Sequence, residues 1–95
     1  MSLSFKWLHD NSIISEFSLD DKRFTLLKPA FEELKKKTGL RIDPYKDARI
    51  SPEQALLLKQ NILELFPDHV LKVQGFVEIL KVAVNKSRWI LAIGD

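Results

Sequence analysis

No cysteine occurs among the 95 residues, which excludes disulfides, thiolate metal sites and a cysteine nucleophile. An intracellular setting fits that composition. Glycine is scarce as well: Gly39, Gly75 and Gly94 stand isolated, so no glycine-rich phosphate loop is encoded. His9 and His69 are the only histidines, far apart and without an H-x-x-x-H or similar spacing. Neither has a neighbouring carboxylate–serine arrangement, so no local metal motif or catalytic triad is expected. Long apolar runs are missing too. Trp89–Ile93, the longest near the C-terminal end, counts five residues, whereas a membrane helix needs about 20. Lys6 and Asp10 break up the N-terminal stretch, so no signal-peptide core is expected and cytoplasmic residence is the expectation. Repeats, low-complexity tracts and Gly/Ser linkers are absent, and residues 1–95 are expected to form a single domain.

What is present suffices for one hydrophobic core. Apolar residues make up 45% of the chain and charged residues 29%, ordinary values for a globular protein. The net charge is only +2, too small to imply a polyanionic partner. Its distribution is uneven. Residues 1–34 carry a net −2, residues 35–50 a net +4, and residues 51–95 balance. The excess is concentrated in Lys35, Lys36, Lys37, Arg41, Lys46 and Arg49.

The apolar pattern predicts the elements. Leu3, Phe5 and Trp7 alternate with Ser4 and Lys6, and Ile13, Ile14 and Phe17 follow after the turn residues 9–12, the pattern of a β-hairpin. Phe24, Leu27, Phe31 and Leu34 share one face of a helix over Leu19–Thr38, capped by Ser18 and kinked or restarted at Pro29. The three lysines of its last turn face the negative end of the helix dipole, and Gly39 suits the position just beyond it. Residues 40–50 read as a loop built around Asp43-Pro44. Ser51-Pro52-Glu53-Gln54 is a capping box with proline at the first helical position. It predicts a helix to about Phe66, buried through Ala55, Leu58, Ile62 and Leu65. Pro67-Asp68 should open a third helix with an apolar stripe from Val70 to Val84, in which Gly75 suggests close helix approach. Trp89–Ile93 then reads as a strand buried on both faces. The expected fold is α+β, in the order β-β-α-α-α-β, a three-stranded antiparallel sheet packed against three helices and covering both tryptophans. An all-α bundle is the alternative.

Few residues suggest chemistry. Asp20-Asp21 and Glu32-Glu33 are adjacent carboxylates on expected exposed helix faces, which suits solvation better than acid–base work. No cofactor or metal is implied, and no enzyme. The basic stretch 35–49, with Tyr45 as a stacking face, supports nucleic-acid binding as an alternative. The helix expected after Pro67, however, opens on Asp68, which repels phosphate, and lacks base-reading residues in its first turn. The loop holds the better candidates, because tyrosine and arginine among paired charges are common material for protein–protein hot spots. Asp43, Tyr45, Lys46, Asp47 and Arg49 are the partner-binding candidates. Tyr45 would be the apolar anchor, Arg49 a bidentate donor, and the two aspartates acceptors or local braces. A structural role for the same loop would bury Ile42, half-bury Tyr45 and give Asp43 a turn bond.

The segment Lys37–Ser51, the helix through Phe66 and the terminal Ile90-Leu91-Ala92-Ile93-Gly94-Asp95 together resemble small bacterial proteins found beside polymorphic or contact-delivered toxins, the immunity proteins. The resemblance implies a cytoplasmic monomer or homodimer that neutralises a toxin by binding it; no membrane partner and no cofactor are expected from the residues themselves. Inhibitors of nucleases are commonly acidic, and this chain is slightly basic. In this respect the chain departs from the resemblance, and its basic charge points away from a nuclease target. A homodimeric structural or regulatory subunit is the third reading.

Overall fold

The computed structural model describes residues 3–7, 13–67 and 73–94, with only the backbone described at 13–17. The turn at 9–12, the start expected for the third helix at Asp68, and both His9 and His69 lie outside the described residues. The elements run β1 (Leu3–Trp7), β2 (Ile13–Leu19), α1 (Asp21–Thr38), β3 (Ala48–Ile50), α2 (Pro52–Leu65), α3 (Gln74–Lys86) and β4 (Ile90–Gly94). The fold is α+β with an antiparallel sheet, and the strands at both ends of the chain exclude the all-α bundle. The sheet has four strands rather than three, in the order β2-β1-β4-β3. The added strand, β3, lies in the stretch expected to be wholly loop. It pairs Ala48, Arg49 and Ile50 with Ala92, Leu91 and Ile90. Three residues are too few to display an alternating pattern; the pairing with β4 makes them a strand.

The sheet buries one face. Leu3, Phe5, Leu19, Ile50, Ile90 and Ala92 are at most 1% exposed, and the register aligns them on one side. Ser4, Lys6, Leu91 and Ile93 alternate onto the other side and stay half-buried. β4 is therefore covered on one face, not two. Trp89, just ahead of it, is 41% exposed, so the core covers only part of the tryptophan pair. Trp7 is half-buried and has the Arg88 guanidinium 5.6 Å from its ring centroid.

The helices close the buried face. Phe76 of α3 packs against Phe5 of β1 with ring centroids 4.8 Å apart and tilted by 38°, and makes an edge-to-face contact with Phe31 of α1 at 6.2 Å, so three aromatic rings join the two layers. α1 begins two residues later than expected. Leu19 is paired with Leu3 and buried in the sheet, which moves the cap from Ser18 to Asp20, whose carboxylate accepts from Arg23 N at 2.9 Å. The helix continues through Pro29 to Thr38 and ends at Gly39, left-handed at φ 81°. α2 carries both bonds of the expected capping box. Its buried face differs from expectation. Leu65 is 46% exposed and Asn61 is buried at 2%. Asn61 Nδ2 donates to the Ala30 carbonyl at 3.4 Å, and Oδ1 accepts from Lys37 Nζ at 3.3 Å. Gly75 is exposed in the first turn of α3, away from the close packing expected of it. Glu33 is half-buried rather than solvated, and its Oε2 is shielded from solvent.

Candidate functional site

Three features of the local sequence build a cleft between α1 and the loop that follows it. Phe24, Lys28, Phe31, Glu32 and Lys35 recur at helical spacing, which places them on one stripe of α1. Gly39 then reverses the chain: its N–H donates to the Lys35 carbonyl at 2.8 Å from a left-handed conformation that side chains rarely adopt. Ile42, 5% exposed, anchors the returning chain in the core. The loop thereby comes back along α1 and leaves a cleft of ≈ 440 Å³ between them.

The loop is braced from within and from the sheet. Asp43 Oδ1 accepts from Tyr45 N at 2.9 Å, and Lys46 N donates to the Asp43 carbonyl at 3.2 Å, closing a turn. Asp43 Oδ2 also lies 3.9 Å from the Arg41 guanidinium. At the other end, Asp47 Oδ1 accepts from Gly94 N at 3.0 Å, which ties the loop to the end of β4. Gly94 lets the two backbones approach closely: a Cβ there would lie 2.8 Å from the Pro44 carbonyl oxygen and would also strike Lys46. The result holds Tyr45 in a fixed turn with 67% of its surface exposed.

The cleft is apolar below and charged above. Phe24, Phe31 and Ile42 line its floor, with the two phenyl rings 5.4 Å apart and tilted by 32°. Lys28, Lys35, Arg41 and Glu32 stand exposed around it. Among the described residues the side chains of Lys28, Glu32 and Lys35 have no hydrogen bond or ion pair, so their charges are uncommitted. Among the described residues, no serine, threonine, cysteine or histidine lines the cleft. The arrangement suits recognition of a ligand with apolar and anionic parts.

The five candidates from the sequence do not share one surface. Asp43 and Tyr45 line the cleft. Asp43 is half-buried as a turn brace, and Asp47 is a brace to β4. Lys46 is exposed beside Gly94, outside the cleft lining. Arg49 is exposed on β3, one position before the inward-facing Ile50, so it projects from the face of the sheet turned away from the helices. Tyr45 is 67% exposed rather than half-buried, the burial that a structural role for the loop led us to expect. Phe24, Lys28 and Glu32 are cleft residues that the sequence pattern did not assign to a site. Their helical spacing is visible in the chain, but the loop that makes their stripe one wall of a cleft is not.

Comparison of the chain with family models, with curated proteins and with solved structures finds no match in any of the three. Among the described residues no helix is long and apolar enough to cross a membrane.

Proposed function

We propose that this protein is a non-enzymatic binding module that acts by engaging another protein, with a toxin as the partner and neutralisation as the outcome. One observation carries the proposal: Tyr45 is held by two aspartate braces and a glycine contact, yet is 67% exposed. Because the braces fix the backbone that carries Tyr45, the loop loses little further conformational freedom when the ring is covered, so more of the buried area contributes to affinity. The toxin-neutralising class comes from the resemblance carried by Lys37–Ser51 and the terminal strand. A small domain that blocks a partner by covering it needs a rigid contact surface, and the braced loop supplies one.

The test is affinity capture of the tagged protein from its native cells, with nuclease treatment, at low and high salt. The expected result is a stoichiometric protein that survives both treatments with wild type and is lost with Tyr45→Ala. Capture of nucleic acid alone, released by salt, would replace this reading with the nucleic-acid one. Equal capture by wild type and Tyr45→Ala would remove the loop from the interface.

A further inference from the structure

Resting on the protein-binding reading, we infer that the α1–loop cleft receives an acidic peptide segment of the partner, with two carboxylates three residues apart and an apolar side chain between them. Lys28 and Lys35 stand seven residues apart on one stripe of α1, which separates their Cα atoms by about 10 Å along the helix axis at 1.5 Å per residue. A peptide in the polyproline II conformation advances about 3.1 Å per residue with three residues per turn, so carboxylates at positions i and i+3 lie on one side of it and match that separation. The side chain between them that points inward meets the floor of Phe24, Phe31 and Ile42. Arg41 faces the same cleft from the loop, and Tyr45 stands beside it as a lid for the apolar residue.

The charges favour a peptide over a nucleic acid. Glu32 lies between the two lysines on the helix stripe and Asp43 lies opposite on the loop, so a continuous phosphodiester backbone would meet carboxylates as well as cations. A peptide can place its acids opposite Lys28 and Lys35 and a neutral residue opposite Glu32. Stacking is also poorly served. Phe31 is 3% exposed and Phe24 is half-buried and tilted against it, which leaves Tyr45 as the most open of the aromatic rings that line the cleft. Bases need such faces in succession.

A synthetic peptide can stand in for the partner segment in the test. The full chain, 15N-labelled, is titrated with Gly-Glu-Leu-Phe-Glu-Gly, with the same peptide carrying lysine in place of glutamate, and with a single-stranded oligothymidine. The expected result is saturable shift changes from the glutamate peptide confined to residues 24–35 and 41–45, and none from the lysine peptide. Charge reversal by Lys28→Glu with Lys35→Glu should weaken the glutamate peptide about tenfold or more, with an unchanged far-UV spectrum showing that these exposed sites leave the fold intact. Equal response to both peptides, shifts elsewhere on the surface, or tighter binding of oligothymidine would overturn the inference. A captured partner that needs Tyr45 but tolerates the double charge reversal would also overturn it, while leaving the protein-binding reading in place.

Discussion

At the scale of single residues, three positions separate structural from binding roles. Gly94 has no positive φ, so its requirement is steric: Pro44 and Lys46 of the loop occupy the space a methyl group would need. Gly94→Ala should destabilise the protein by about 1–3 kcal/mol, the usual cost of forcing extra volume into a packed contact, measured by urea unfolding. Asn61 is the buried polar side chain that joins α2 to α1. Asn61→Ala removes both bonds and leaves space behind them, with an expected loss of about 1–2 kcal/mol. Lys37→Ala should cost much less, because Lys37 is exposed and water replaces its partner. Tyr45→Ala should leave stability within about 0.5 kcal/mol, as exposed substitutions usually do, while partner capture is lost. A fall in thermal midpoint as large as that of Asn61→Ala would identify Tyr45 as a structural residue instead.

At the scale of elements, α1 and α2 differ in how well their sequences suit their structures. The start of α2 is locally consistent: Ser51 Oγ accepts from Gln54 N at 3.1 Å, and Gln54 Oε1 accepts from Ser51 N at 2.9 Å. Ser51→Ala should cost about 1 kcal/mol, read as a lower denaturant midpoint with an unchanged slope. α1 contains Pro29 halfway along, exposed and inside the hydrogen-bonded ladder. It removes the donor that would reach the Thr25 carbonyl, and its ring crowds that turn. The helix survives because Leu27, Ala30, Phe31 and Leu34 are buried on both sides of the proline, so tertiary packing outweighs local preference. Pro29→Ala should therefore stabilise the protein, by up to about 3 kcal/mol on helix propensity. β3 is the opposite case, an element with almost no local signal. Ala48 and Ile50 are useful to the sheet only because β4 returns beside them from the far end of the chain.

At the scale of the whole molecule, the buried residues form one cluster with contributions from every helix and from β1, β2, β3 and β4. A single core of this kind unfolds as a unit. Thermal transitions followed by far-UV circular dichroism, which reports α1, α2 and α3, and by tryptophan fluorescence, which reports the ends of β1 and β4 through Trp7 and Trp89, should coincide. The layered arrangement also divides the surface. The cleft opens beside α1 and the loop, whereas Arg49 projects from the face of the sheet turned away from the helices. A partner that engages Tyr45 should therefore tolerate Arg49→Ala, although the two residues lie four positions apart in the chain.

The amino-acid sequence by itself determined the features that are settled locally: the hairpin and terminal strand, the apolar stripes of α1 and, from Val73 onward, of α3, the capping box at Ser51, the left-handed end at Gly39 and the turn bond of Asp43. Each follows from periodicity or from a hydrogen bond spanning a few residues. Tertiary structure alone decided what depends on distant segments meeting. β3 needs β4, the late start of α1 needs Leu19 opposite Leu3, and Asn61 is buried because Ala30 and Lys37 receive it. The cleft needs the loop returned along α1 and held to the sheet at Gly94. Nothing in the spacing of Phe24, Lys28 and Lys35 announces a facing wall, because that wall is positioned by a contact with the other end of the chain.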